Sequence, residues 1–109
     1  MTLSELKEYR SIVAEALLEN ESPVPDRKRL TELITRKDEI EHFIKGIPKA
    51  QARVALEIYC GLYPPFQNTA ATWRDVARIL GNGFSFDALK IYVYRAVEEQ
   101  NKIRYWETR

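Results

Sequence analysis

The chain has 109 residues, enough for one domain with a helical appendage but too few for two independent cores. A hydrophobic fraction of 45% with 11% aromatic residues excludes a disordered chain. No apolar run approaches membrane-spanning length, and the start MTLSELKEYR lacks the basic and apolar regions of a secretory signal. A single cysteine, Cys60, rules out an intramolecular disulfide and points to a cytoplasmic location. Net charge is only +1, from seventeen basic and sixteen acidic residues. Residues 1–47 carry eight basic and ten acidic groups, net −2; residues 48–109 carry nine and six, net +3. That asymmetry suits a C-terminal half that faces nucleic acid, and only weakly.

In chain order the pattern predicts an all-α fold of about five helices. Thr2 and Glu5 form a capping box, with Met1 and Leu6 spaced for a hydrophobic staple. Leu6, Tyr9, Val13, Ala16 and Leu17 make a helical stripe to about Leu18. The two prolines of ENESPVP then break the period, so residues 19–25 read as a linker and a potential hinge. Asp26 caps a longer second helix. Leu30, Leu33, Ile40, Ile44 and Ile47 fall at heptad a and d spacing, with Lys37 at an a position and Ile34 and Phe43 widening the stripe. This face either packs within its own domain, the commoner outcome for so short a run, or forms a homodimer seam through residues 1–47.

Gly46 and Pro48 punctuate the chain, Pro48 as the expected first residue of a third helix. Ala52, Ala55, Leu56, Tyr59 and Cys60 line its inner face and Gly61 ends it. The stretch from Leu62 to Ala71 is a loop that Pro64 and Pro65 hold extended, with Tyr63 and Phe66 either tucked beneath it or forming a contact surface. Thr72 then caps a fourth helix with Asp75 as its capping-box partner, and Val76, Ala77, Ile79 and Leu80 supply the apolar face. Gly81-Asn82-Gly83 stops it, because these residues tolerate left-handed backbone. Ser85 caps the last helix, Phe84 is placed to staple onto Leu89, and Leu89, Val93, Ala96 and Val97 give the buried face. Ile103, Tyr105 and Trp106 extend that helix as a tail that either folds back or anchors a partner. Two helices joined by so short a Gly-containing turn predict a helix-turn-helix.

Catalysis is not expected. His42 is the only histidine and sits among Glu39, Glu41 and Lys45 on a polar face; Cys60 lies on an apolar one. One His and one Cys cannot build a zinc site, and GNGF lacks the spacing and lysine of a P-loop. No cofactor or metal is therefore expected. What remains is recognition. In a helix-turn-helix the second helix enters the major groove with its N-terminal residues at base edges. Here Ser85 heads that helix, and Phe86, Asp87, Lys90, Ile91 and Tyr94 face outward. Lys90 suits guanine O6 or N7, Asp87 suits cytosine N4, and Phe86 suits a thymine methyl. Arg74, Arg78 and Arg95 flank them as phosphate ligands that set register.

The stretch TWRDVARILG, the Gly-Phe-Ser turn and the helix carrying Arg95-Ala96-Val97 resemble region 4 of bacterial sigma factors. They are more similar still to small sigma-like proteins of phages and prophages of Gram-positive bacteria, in which a stretch like ARVALEIYCGL precedes a Trp such as Trp73. The similarity runs from about Arg53 to Glu99. It implies residues 48–109 as the helix-turn-helix domain, residues 1–47 as bracing or dimerising helices, and a DNA-binding transcription regulator that touches host RNA polymerase. Two features depart from the family's pattern: the loop 62–71 is long, and Phe86-Asp87 stand where a base reader more often carries Arg, Gln, Asn or Ser. They keep a second reading open, a protein-binding module acting as inhibitor or adaptor of a host protein.

Overall fold

The computed structural model describes residues 1–62, 72–81, 83 and 85–107, with side chains of the last helix as far as Ile103. All regular structure among them is α-helical: α1 (Leu3–Lys7), α2 (Tyr9–Glu21), α3 (Arg27–Lys45), α4 (Ala50–Cys60), α5 (Trp73–Leu80) and α6 (Phe86–Glu107). Only Glu8 separates α1 from α2, so the two together answer to the first predicted helix. The start is as expected: the Thr2 hydroxyl accepts the Glu5 amide, and the Glu5 carboxylate accepts the Thr2 amide in return. Met1 packs against the core that contains Leu6. Its amine donates to Asn101 Oδ1 at 2.6 Å and its carbonyl accepts from Asn101 Nδ2 at 2.6 Å, which ties the start of the chain to α6.

Helix α2 runs three residues past the predicted end, because Pro23 restrains only the residue before it and leaves Glu19–Glu21 free to stay helical. Ser22 closes the helix in extended backbone, and Asp26 opens α3 by accepting the Arg29 amide at 3.1 Å. The short connection turns the chain back, so that Glu15 meets Arg29 at 2.7 Å while Glu5 meets Arg36 at 3.8 Å. The result is an antiparallel α2–α3 hairpin. Its base joins the core through Ile12, Leu33 and Ile40; its outer half, residues 13–32, contains no buried residue. This arm helps give the molecule principal extents of 49 × 38 × 17 Å.

The heptad face of α3 is used inside the molecule. Leu33, Ile40, Phe43, Ile44 and Ile47 are all buried in the core, whereas Leu30 and Lys37 of the same heptad spacing are only half-buried. Ile34, expected to widen the stripe, is 45% exposed, and Leu17 is 57% exposed. Both belong to the arm, beyond the reach of α4. Lys37 pairs with Glu41 at 2.8 Å, and the Tyr9 hydroxyl donates to the same carboxylate. Burial, then the hydrogen bond to and charge of Glu41, then Asp38, push the Tyr9 hydroxyl well above its ordinary value near 10. Burial acts to raise the Glu41 carboxyl, but the hydrogen bonds from Lys37 and Tyr9 with the charges of Lys37 and Lys45 outweigh it, and the group titrates below its usual range.

The two shifts have opposite consequences for stability. A raised tyrosine stabilises the fold below its unfolded value and loses that contribution as pH climbs above about 10. A depressed carboxyl stabilises above its unfolded value, and the contribution disappears as pH falls through the lowered folded value. Tyr9→Phe should therefore differ from wild type by a constant amount between pH 6 and 9, and the gap should shrink at higher pH. Urea titrations across that range measure it; a gap that stays constant to pH 11 would contradict the assignment.

Gly46 closes α3, but α4 begins at Ala50 with Lys49 as its N-cap, so Pro48 precedes the helix instead of opening it. The predicted inner face of α4 holds: Ala52, Ala55, Leu56, Tyr59 and Cys60 are buried, and Glu57 and Ile58 with them. Burial raises the Cys60 thiol to about 12, against the pull of Arg10 and Lys7, and the side chain packs as a small hydrophobe in the core. Gly61 ends α4 at φ 79°, with its amide reaching Ile58 O at 3.2 Å and the Leu62 amide reaching Glu57 O at 2.8 Å. Arg10 completes the cap from α2, its guanidinium donating to the carbonyls of Tyr59 (2.8 Å) and Ile58 (3.2 Å). On α5, Trp73 stacks on Tyr59 with centroids 4.1 Å apart and planes within 9°, which fixes α5 to the end of α4. The readings made for Tyr63, Phe66, Phe84, Tyr105 and Trp106 fall outside the described side chains.

Candidate nucleic-acid interface

The C-terminal surface is built from α5 and α6. The Thr72 hydroxyl accepts the Asp75 amide at 3.2 Å, and the Asp75 carboxylate accepts the Thr72 amide at 3.3 Å, the reciprocal box expected from TWRD. Those bonds from Thr72, backbone first and hydroxyl second, hold the half-buried Asp75 carboxyl below its ordinary range, with Arg78 and Arg74 adding to the effect. Helix α5 ends at Gly81 with φ 62°, and Gly83 is also left-handed at φ 81°. At the head of α6 the Ser85 hydroxyl accepts the Ala88 amide at 3.2 Å, the cap expected of it.

Sidedness follows from helical spacing. Val76 is fully buried under α5, with Trp73, Ala77 and Leu80 packed beside it; these recur at three, four and seven residues from Trp73. Ile79, expected on that face, is 43% exposed because it falls off the stripe. On α6, Leu89, Val93, Ala96 and Val97 are buried as predicted, and Gln100 continues the same face. Tyr92 is half-buried against the core, and Lys49 lies 5.5 Å from its ring while pairing with Glu99 at 3.5 Å.

The eight residues selected from the sequence, Arg74, Arg78, Ser85, Phe86, Asp87, Lys90, Tyr94 and Arg95, are all exposed. Two contacts organise part of the set. The Arg74 guanidinium sits over the Phe86 ring at 5.1 Å, joining α5 to the first residue of α6, and Lys90 Nζ sits over the Tyr94 ring at 5.9 Å. Arg78 leans on Asp75 at 3.4 Å yet keeps most of its side chain in solvent. Arg95 and Asp87 lie outside these contacts. The surface thus offers four cations against the carboxylates of Asp75 and Asp87, interleaved with exposed Phe86, Ile91 and Tyr94. Ile79 adds an apolar residue that periodicity alone placed wrongly.

No group of three or more His, Cys, Asp or Glu among the described residues could hold a metal ion. No helix among them is long and apolar enough to cross a membrane. No family model matches the chain, and neither a curated protein nor a solved structure is significantly similar to it.

Proposed function

We propose that the chain is a DNA-binding transcription regulator of phage or prophage type, with α5 and α6 as its helix-turn-helix. The carrying observation is the division of α6. Leu89, Val93, Ala96 and Val97 are buried while Phe86, Asp87, Lys90, Tyr94 and Arg95 are exposed on the helix that would lie in the major groove. Lys90 and Asp87 read base edges, Phe86 contacts a thymine methyl, and Arg74, Arg78 and Arg95 bind phosphates. The Arg74–Phe86 contact would hold one phosphate ligand beside the head of the reading helix. The sigma-like resemblance adds host RNA polymerase as the machine on which such a regulator acts.

A second reading has its own observation. Ile79, Phe86, Ile91 and Tyr94 are exposed on α5 and α6, and bulky apolar residues of this kind suit a protein partner. In that reading the same surface docks on a host protein, as an inhibitor or adaptor would. Selection from a random duplex DNA pool at two salt concentrations separates the two. An enriched sequence whose affinity falls steeply with salt is the expected result. No retention at low salt would overturn the DNA reading in favour of the protein partner.

A further inference from the structure

Tyr59, near the end of α4, is the residue at which the N-terminal helices and α5 meet. Its ring carries the Trp73 indole of α5, stacked at 4.1 Å, and Lys7 Nζ at the end of α1 stands over the same ring at 5.7 Å. Its carbonyl accepts from Arg10 of α2 at 2.8 Å. Helix α5 packs mainly on α4 and α6, and α1 mainly on α2 and α4. What passes between the N-terminal helices and α5 therefore passes through α4.

Helix α5 has little else to hold it at a fixed angle. Of its eight residues only Val76 is fully buried, with Ala77 and Leu80 partly so, whereas α6 sinks Leu89, Val93, Ala96 and Val97. One buried side chain fixes a point on the helix but not its tilt; the stack at its first residue supplies a second point. The next residue, Arg74, reaches the head of α6, its guanidinium 5.1 Å from the Phe86 ring. A shift of the indole is thus passed to Arg74 across one peptide. Coupling between distant groups is carried by such unbroken chains of packed side chains. We propose that Tyr59 is a positioning residue for the α5–α6 surface and that Lys7 acts on that surface through it, while Arg10 holds the peptide that carries the ring. None of the three touches the ligand; together they set where Arg74 stands against Phe86. Only the consequence for affinity rests on the DNA reading.

The test reads geometry and binding separately. In proton–nitrogen correlation spectra of the full chain, the Trp73 indole N–H reports the stack and the Arg74 Nε–H reports the junction with Phe86; Trp73→Phe and Arg74→Lys assign the two signals. Lys7 is exposed, so Lys7→Gln should leave Tm nearly unchanged. It is expected to move both signals and to lower duplex affinity about threefold, and Lys7→Arg to restore both. The salt dependence should stay that of wild type, since no phosphate ligand is lost. Tyr59→Phe keeps the ring and should match wild type. Tyr59→Leu removes it, and in that background Lys7→Gln should change nothing further. Signals of Trp73 and Arg74 that ignore Lys7→Gln would overturn the proposal, whether or not the chain binds DNA. So would a Lys7→Gln effect that persists beside Tyr59→Leu, or a reduced salt slope, which would make Lys7 a phosphate ligand. If Tyr59→Leu does not fold, the comparison of Lys7→Gln with Lys7→Arg decides alone. Shifted signals in a chain that retains no duplex would uphold the positioning role while the DNA reading fails.

Discussion

Replacing Lys90 and Arg95 together with alanine is expected to lower duplex DNA affinity by on the order of a hundredfold or more, with the fold intact. A base-edge contact contributes roughly 1–3 kcal/mol, and a lost phosphate contact weakens all sequences while flattening the salt slope. Both side chains are exposed and neither belongs to the buried face of α6, so stability should change by no more than about 0.5 kcal/mol. The two single variants should behave differently. Lys90→Ala should relax preference at one base position, whereas Arg95→Ala should weaken binding evenly and reduce the salt dependence. Fluorescence anisotropy on a selected site, alongside thermal melts, reads all of these. Undiminished affinity in the double variant would remove α6 from the groove. It would leave the exposed apolar residues Phe86, Ile91 and Tyr94 as the better guide to a partner.

The largest effect on stability is expected from Gly61→Ala, a change of one methyl group. Gly61 sits at φ 79°, where an L residue costs roughly 1–2 kcal/mol. An added Cβ would also lie 2.6 Å from Arg10 Nε and 3.1 Å from Arg10 Cγ and Cζ. Arg10 can swing away only by releasing the carbonyls of Tyr59 and Ile58, and hydrogen bonds from a charged donor contribute roughly 1.5–3 kcal/mol. Together these predict a loss of about 3 kcal/mol and a drop in Tm of more than about 10 °C. A double-mutant cycle separates the causes. In an Arg10→Ala background the same glycine substitution should cost only the backbone strain, so the two changes should be clearly less than additive. Full additivity would show that Arg10 does not act through the cap.

What was readable in advance divides by distance along the chain. The caps at Thr2, Asp26, Thr72 and Ser85 are decided within three residues and appear where the sequence places them. The left-handed ends at Gly61 and Gly81 are equally local. The inner stripe of α6 is legible for the same reason, since one helix's spacing fixes which residues share a face. Contacts between elements were not. Arg10 caps α4 from almost fifty residues away, and no local pattern marks it. Helix α3 has apolar residues on two faces, and the sequence alone does not say which one α4 will cover. The heptad spacing is present, but it serves the monomer's core, while the adjoining face with Ile34 is left open. Ile79 illustrates the limit on a short helix: eight residues give barely two turns, too few to define a stripe edge from composition. For the eight residues selected on α5 and α6, exposure was legible residue by residue. The pairing of Arg74 with Phe86 was not, because it depends on the angle between two helices.

Helix α4 is enclosed by its neighbours, with Ala52 and every residue from Ala55 to Cys60 buried, in a molecule only 17 Å thick along its shortest axis. The arm has no such enclosure between residues 13 and 32. Amide protons in the two regions therefore report different events. Those of the outer arm can exchange with solvent through fraying of one hairpin, which disturbs no core contact. Those of α4 are released only when α1, α3, α5 and α6 let go of it, so their exchange follows unfolding of the whole chain. The arm can then open and close without loosening the helix on which α5 and α6 are mounted.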